Sequence, residues 1–325
     1  MKKKLSLMFI AFGALAILTG CEPLTVFDTK GPNAKTLSDT IILSIITMAF
    51  ILLVVYVLLV VMLTKYRASK TPADYEPPHE EGSHVLEIIW TVIPIIIVAF
   101  LAVVTVKTTS TVESQPEGYD NKEPLVIYAS SSNWKWHFSY PEQGIETVNY
   151  VNMPIDRPIE FKLYSFGPIT SFWIPQLAGQ KYAMSDMLTT IHLAADDIGS
   201  FMGRNSNFSG RGFAEMEFEA QTMTQEDFDK WAADVKANEK PLTEEKFDEL
   251  LKAEHVGRSS YSSTHLEFRP APMEHSEHMK MGDMDHSDMD MSEDEMDHSK
   301  MNHEDHSKMN HEDHSQEKSE ETHSH

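Results

Sequence analysis

Two almost uninterrupted apolar runs, residues 41–63 and 86–106, dominate the first third of the chain. At about 1.5 Å per residue, each run is long enough to cross the ~30 Å hydrocarbon core of a bilayer as a helix. Lys65, Arg67 and Lys70 follow the first run closely. Positive charge beside a span is typical of the cytoplasmic side. The pattern therefore predicts two transmembrane helices joined by a cytoplasmic loop, with both outer ends of the pair on the extracytoplasmic side.

The N-terminus has the pattern of a secretory signal. Three lysines precede an apolar run over 5–18, and residues 18–21 read Leu-Thr-Gly-Cys. That tetrad fits the bacterial lipobox, in which the peptide is cut before the cysteine and the cysteine sulfur is acylated. Because Cys21 is the only cysteine in the chain, we predict a lipid-anchored mature protein that begins at Cys21. The alternative is a plain signal peptide with an incidental cysteine.

The second apolar run is less uniform than a simple anchor requires. It contains Glu87, Trp90 and Pro94. A carboxylate near the end of a span can snorkel, and a tryptophan can be an ordinary interfacial residue. A proline within a span, however, needs neighbouring helices to satisfy the carbonyl that it frees. Together the three residues favour a helix packed against partner helices, and they are candidates for a subunit interface.

Short runs of β-forming residues follow the second span, and several of them alternate apolar and polar positions. Turn signals separate the runs. Many short strands at this spacing are typical of a sandwich or a barrel. Two short amphipathic helices come next, the first with Thr222 or Thr224 as its N-cap. The predicted strands cover residues 125–129, 134–140, 147–151, 159–164, 188–193 and 213–218.

Composition narrows the classes of function. The formal net charge is -23, which argues against nucleic-acid binding, because such binding needs basic patches. A single cysteine excludes an internal disulfide and any site that needs two thiolates.

The tail from Met273 consists mainly of His, Met, Asp, Glu, Ser and Lys, and an eight-residue near-repeat runs through 297–312. So polar a segment cannot bury a core and is predicted to be disordered. Imidazole suits copper, nickel and zinc, and thioether suits Cu(I). The tail is therefore either a metal-gathering segment or a solvated acidic tail that binds divalent ions weakly. The candidate ligands are His298, Met301, His303, His306, Met309, His311 and His314.

Three separated motifs, at 86–94, 133–140 and 171–177, resemble the second helix, the aromatic segment and a strand-and-turn of cytochrome oxidase subunit II. The resemblance covers roughly residues 30–220. It implies a fold of two N-terminal transmembrane helices in a hairpin, then a cupredoxin-like all-β sandwich, short C-terminal helices and a disordered tail. The implied organisation is a signal peptide with lipobox 1–20, an external segment 21–40, a first span 41–63, a cytoplasmic loop 64–85, a second span 86–106, a cupredoxin-like domain 107–221, a helical extension 222–272 and a tail 273–325.

Copper-bearing members of that family hold a binuclear copper centre with thiolates, imidazoles, a thioether and a backbone carbonyl. This chain departs from that pattern at all of the ligand positions except the methionine. The histidine positions fall on Thr170 and Phe213, the cysteine positions on Asn205 and Ser209, the carbonyl position on Asn207 and the methionine on Met216. Without mature thiols other than Cys21, no such centre can form.

Residues 148–154, 182–187 and 203–210 resemble the quinol-oxidase branch. This implies subunit II of an enzyme that oxidises quinol, reduces oxygen to water and pumps protons. The chain itself would hold no cofactor. Its partners would be a subunit I, which carries haem and a copper, and smaller membrane subunits. Trp134 and Trp136 would pack against subunit I.

Two alternatives remain at this stage. One is a cytochrome c oxidase subunit, against which the missing thiolates count heavily. The other is a free-standing, membrane-anchored metal-binding lipoprotein with a cupredoxin-like domain, which the tail supports and the Glu87–Pro94 segment does not.

Overall fold

The structure is a computed structural model, and it describes residues 24–67, 82–119 and 121–273. Two long helices come first, α1 at Pro32–Lys65 and α2 at His84–Glu113. The mean hydropathy of their most apolar stretches is 3.1 and 2.8, which is high enough for both to cross a membrane. The signal peptide, Cys21, most of the loop over 64–85 and the tail beyond Met273 lie outside the described residues.

Both helices are longer than their apolar runs. Pro32 stands at the start of α1, where its missing N–H costs nothing and its fixed φ suits a helix. Hydroxyl groups then return hydrogen bonds to carbonyls four residues earlier, as from Thr36 and Ser44. The two helices meet near their outer ends, where the hydroxyls of Thr40 and Thr108 are 3.0 Å apart. The pair is therefore a helical hairpin that projects beyond the apolar spans.

Eleven strands build two stacked sheets over the described part of the chain. The strands are β1 Leu125–Ser132, β2 Lys135–Tyr140, β3 Ile145–Val148, β4 Tyr150–Pro154, β5 Ile159–Ser165, β6 Thr170–Trp173, β7 Gln180–Ala183, β8 Thr189–Leu193, β9 Gly199–Asn205, β10 Glu217–Met223 and β11 Ser259–Tyr261. The first sheet has the order β11-β3-β2-β1-β5-β8, and the second has the order β4-β10-β9-β6-β7. Parallel pairing of β1 with β5 and of β4 with β10 accompanies antiparallel pairs. The expected order of a helical hairpin, an all-β sandwich and short C-terminal helices is confirmed.

The predicted strand over 147–151 is wrong, because the chain changes sheets inside it. Asn149 has φ of 57°, so β3 ends before it and β4 begins after it in the opposite sheet. The Asn149 side chain holds the crossing. It accepts from the backbone N–H of Trp136 at 3.0 Å and donates to the Val256 carbonyl at 2.8 Å. Asparagine tolerates this left-handed backbone better than most residues.

The predicted strand over 213–218 is also wrong in part. Phe213–Glu215 forms a 3-10 turn, and β10 begins only at Glu217. The patterns of β-forming residues missed β7, β9 and β11, and β6 was expected only from the family resemblance of residues 171–177. β9 contains glycine at both its start and its middle, which weakens a strand signal. In the fold, Gly203 lies under the Phe218 ring, where an added Cβ would come within 2.1 Å of ring carbon.

The C-terminal extension follows β10 and packs on the sandwich. Helix α3 spans Gln225–Asn238 and helix α4 spans Glu244–Lys252. Thr224, not Thr222, caps α3 by accepting from the Asp227 N–H at 3.1 Å. Thr222 instead lies buried in β10. Strand β11 then adds to the edge of the first sheet, and a 3-10 turn at His265–Glu267 closes over that sheet.

The helical hairpin joins the sandwich along the edge formed by β7 and β8. The Asn33 amide at the start of α1 donates to the His192 carbonyl at 2.7 Å. The Lys181 ammonium lies 3.0 Å from the Glu113 carboxylate at the end of α2. The outer ends of the two helices therefore contact this edge of the sandwich and the turns beside it, where the Ala34 N–H donates to the Leu177 carbonyl at 3.2 Å.

Candidate functional site

The positions that align with copper ligands gather around the loop that follows β9, next to the start of β6. Thr170 opens β6, and Asn205 closes β9. The Asn205 N–H donates to the Met216 carbonyl at 3.0 Å, which brings in the buried Met216. Ser209 reaches the same place through the Asn205 amide, at 2.9 Å. The fold thus brings together most of the positions that the sequence comparison singled out.

The side chains at these positions form hydrogen bonds with one another and with the neighbouring backbone. The side-chain oxygen Oδ1 of Asn205 accepts from the backbone N–H groups of Ser171, at 2.8 Å, and Asn207, at 3.0 Å. The Thr170 hydroxyl pairs with the Ser131 hydroxyl at 2.7 Å inside the domain. Amide and hydroxyl oxygens are poor ligands for copper compared with thiolate and imidazole. The donor set of this loop does not fit a binuclear copper centre, and asparagine shapes the loop instead.

Trp134 lies beside this loop in a slot made by its own chain. Its φ is 55°, and an added Cβ on Gly212 would come within 2.5 Å of the indole. The His255 imidazole stacks on the indole at 5.9 Å between ring centroids and 21° between planes. The Arg211 guanidinium lies 5.9 Å from the ring centroid. The C-terminal extension and the loop therefore cover much of the ring that was expected to contact a partner subunit.

Trp136 does not fit the predicted role of a contact with another subunit. Its side chain is completely buried between the two sheets. It packs edge-on against Phe172 at 5.3 Å and Phe218 at 5.9 Å between ring centroids. Alternation alone would place Trp134 and Trp136 on the same side, because residues two apart on a strand share a face. Trp134 leaves that pattern because it precedes β2 in a turn, with φ of 55°. Trp136 is a core residue.

Glu87, Trp90 and Pro94 lie on neighbouring turns of α2, so they form one side of the helix. Trp90 is 62% exposed, and the Glu87 carboxylate lies 3.3 Å from the His84 ring. Pro94 has no N–H to donate to the Trp90 carbonyl, yet α2 continues through it. This side of α2 stays a predicted contact surface for partner helices.

Sequence reasoning missed a buried polar cluster between the first sheet and the extension. Glu146 on β3 lies at its centre, with no exposed surface. One carboxylate oxygen accepts from the Ser139 hydroxyl at 2.8 Å and from both the backbone N–H and Nδ1 of His265, at 2.9 and 2.7 Å. The Tyr164 hydroxyl meets His265 Nε2 at 2.6 Å. His265 Nδ1 thus faces the Glu146 carboxylate, and Nε2 faces the Tyr164 hydroxyl.

A second histidine completes the cluster. His137 Nε2 pairs with the Ser132 hydroxyl at 2.9 Å, and its Nδ1 lies 3.8 Å from the other Glu146 oxygen. Lys135 lies alongside and donates to the carbonyls of Asn133 and Ala253. The C-terminal extension is therefore held to the first sheet by buried polar contacts as well as by apolar packing.

Burial and these contacts shift the pKa values in opposite ways. Burial lowers the pKa of His137 to about 3 and that of Lys135 to about 8. Burial alone would raise the pKa of Glu146, but the contacts from His265 and His137 outweigh it and lower that pKa below its usual value. Glu146 is thus held as a carboxylate, and His137 is held neutral.

We expect the free energy of unfolding to fall as the pH drops from about 6.5 to 4.5. In this range the unfolded state protonates His137 and the folded state does not, so acid favours unfolding, by on the order of 2–3 kcal/mol at pH 4.5. Glu146 adds a further loss only below its usual pKa of 4.5. Denaturant titrations at several pH values test this. His137→Gln should flatten the dependence between pH 6.5 and 4.5, and His84→Gln on exposed helix surface should not. An equally steep dependence in His137→Gln would contradict it.

Within the described ranges, no group of three or more His, Cys, Asp or Glu side chains is arranged to hold a metal ion. The tail residues from His298 to His314 lie outside those ranges. The cluster around Glu146 joins the C-terminal extension to the first sheet through hydrogen bonds between Glu146 and His265.

Comparison with known proteins agrees with this geometry. Residues 26–108 match the family described as cytochrome C oxidase subunit II, transmembrane domain. Quinol oxidase subunit 2 of Bacillus subtilis is 48% identical over 266 residues, which is 81% of each chain. Its Bacillus cereus counterpart is 46% identical over 255 residues, or 78% of this chain and 88% of the relative. The chain belongs to the quinol oxidase subunit 2 family. As a member, it is subunit II of a terminal quinol oxidase and part of a membrane-bound oxidoreductase complex.

Solved structures that resemble this quinol oxidase subunit are more distant. The periplasmic domain of cytochrome oxidase subunit II from Bradyrhizobium japonicum is 22% identical, covers 34% of this chain and 93% of its own, and gives a TM-score of 0.34. A haem-copper terminal oxidase dimer is 12% identical, with 55% and 97% coverage and a TM-score of 0.27. The relatives in sequence, which span most of the chain, do not favour the alternative of a free-standing metal-binding lipoprotein.

Proposed function

We propose that this subunit supports an oxidase in which quinol gives its electrons directly to a partner subunit I, without passing through this chain. Haem and a copper in that partner would reduce oxygen to water, coupled to proton translocation. The roles of this chain are assembly and stabilisation of the partner. The observation that supports this most is the loop after β9, where hydroxyl and amide groups bonded to one another replace the copper ligands.

Oxygen uptake by the affinity-purified complex tests the proposed route of electrons. The complex is offered a quinol or reduced cytochrome c in parallel, with inhibition by cyanide as the control for haem-copper turnover. We expect turnover with quinol alone. Turnover with cytochrome c at a comparable rate would overturn the proposal, because it would require an electron-entry site that the domain was argued to lack.

We further propose that the sandwich lies on the extracytoplasmic side and that Cys21 is acylated. The basic residues after the first span and the lipobox support both statements independently. Protease added to intact protoplasts should digest the sandwich. Cys21→Ser should lose incorporation of labelled palmitate and yet stay in the membrane, because α1 and α2 still hold it. Digestion only after lysis would contradict the orientation, and palmitate retained by Cys21→Ser would contradict the anchor.

We also propose that the tail gathers copper, nickel or zinc and serves as a metal reservoir beside the copper-containing partner. Its alternating imidazole and thioether groups support this. Copper titration of the full chain is compared with a chain that ends at Met273. Equal binding by both, or binding by the full chain no tighter than micromolar, would leave only a solvated acidic tail.

A further inference from the structure

The loop after β9, residues 206–212, carries an exposed aromatic side chain. Phe208 is 74% exposed, and Ile169 beside it is 49% exposed. The two are linked because the Asn207 amide donates to the Ile169 carbonyl at 2.9 Å. Single exposed apolar residues are common on protein surfaces. What distinguishes Phe208 is the way in which its loop is built and placed.

The loop is held in one conformation by its own hydrogen bonds. Asn205, almost fully buried, bonds Ser171, Asn207 and Ser209 as described above. The Phe213 ring packs edge-on against the Phe208 ring at 5.3 Å between centroids. An aromatic side chain that is already fixed in place loses little entropy on binding, so it makes an efficient anchor.

The loop also lies close to the outer end of α2. The hydroxyl of Ser206 donates to the side-chain oxygen of Gln180, and the next residue, Lys181, pairs with Glu113. Glu113 stands seven residues beyond the apolar run, or about 10 Å along the helix axis. The headgroup layer on each side of a bilayer is only about 5–7 Å thick. The loop is therefore connected to a part of α2 that lies beyond the lipid headgroups. At this distance from the membrane it can meet the extramembrane loops of a neighbouring subunit.

Charge also favours a protein partner over a lipid surface. The Arg204 guanidinium is 3.3 Å from the Glu217 carboxylate, and Arg211 pairs with Glu254. Both cations flanking Phe208 thus have a carboxylate partner in the same chain, which reduces the net positive charge that would attract lipid phosphates. An aromatic centre with a matched polar rim is the usual composition of a protein–protein contact.

We propose that Phe208 and Ile169 anchor this subunit to an extracytoplasmic loop of the multi-helix, haem-bearing membrane subunit. The loop that falls on the copper-ligand positions would thus serve assembly. This inference rests on the proposed function, since it takes its partner from there.

The test is the amount of haem that co-purifies with the tagged full-length chain from membranes. Phe208→Glu and Ile169→Glu should each lower haem per chain by about tenfold or more, as loss of an interface anchor does. Phe208→Ala should lower it less. The matched control is Ile198→Glu, at a 61% exposed apolar residue at the other end of β9, which should leave haem recovery unchanged.

Trypsin resistance of the sandwich and recovery in the membrane fraction show whether each variant is folded. If Phe208→Glu is unfolded, Ile169→Glu and Phe208→Ala decide. Haem recovery in the folded anchor variants equal to that of Ile198→Glu would overturn the inference and leave the proposed function intact. A wild-type chain that brings down no haem, or no quinol-dependent oxygen uptake, would instead refute the proposed function itself.

Discussion

Replacing Glu146 by alanine is expected to lower the free energy of unfolding of the sandwich by about 3–5 kcal/mol. The substitution removes one buried oxygen that accepts three hydrogen bonds, from Ser139 and from two groups of His265. Each buried donor left without an acceptor costs about 1–3 kcal/mol. The purified chain in detergent is titrated with denaturant while tryptophan fluorescence is followed.

A matched control lies on the same β2–β3 hairpin. Glu142 is paired with Arg157 at 2.9 Å, but the Glu142 side chain is 56% exposed. Glu142→Ala should therefore cost less than about 1 kcal/mol. Equal effects of the two substitutions would show that the buried position of Glu146 contributes nothing, and would refute the assigned role of the cluster.

The same substitution should loosen the C-terminal extension before the sandwich unfolds. His265 contacts the first sheet through Glu146, Ser139 and Tyr164, and Phe247 of α4 stacks on the His265 ring at 4.5 Å between centroids. Limited proteolysis should therefore cut Glu146→Ala within the extension faster than Glu142→Ala. Because the extension also covers Trp134 through His255, its release would uncover the loop side of the domain.

The sequence predicted the fold where the signal is local. Long apolar runs determine α1 and α2, and a threonine before an amphipathic pattern determines the start of α3. Strands failed where long-range contacts decide. Asn149 changes sheets because its side chain finds partners on Trp136 and on Val256, which is 107 residues away. No window of sequence contains that information.

The candidate site was predictable only through resemblance. Family motifs gave the copper-ligand positions, and the fold gathers them around Asn205. The polar cluster had no such guide, because Glu146 and His265 are 119 residues apart and neither lies in a recognisable motif. Glu146 and His137 stand at polar positions that alternate with apolar ones along β3 and β2, which is the pattern of a half-solvated strand. Only the fold shows that the polar side of these strands is buried too.

The two tryptophans of the aromatic segment should respond very differently to substitution, and the difference separates core from contact. Trp136→Ala is expected to cost about 3–5 kcal/mol, because it leaves a cavity between Phe172 and Phe218 that the two sheets cannot close. Trp136→Phe keeps an aromatic ring there and should cost less than half as much. Trp134→Ala should cost about 1–2 kcal/mol, since its half-buried ring stacks mainly on His255 and Arg211 at the surface. Denaturant midpoints of the three variants measure the order. If Trp134→Ala proved the most destabilising and Trp136→Ala were tolerated, the assignment would be reversed. Trp136 would then lie at the surface, where it could contact a partner subunit.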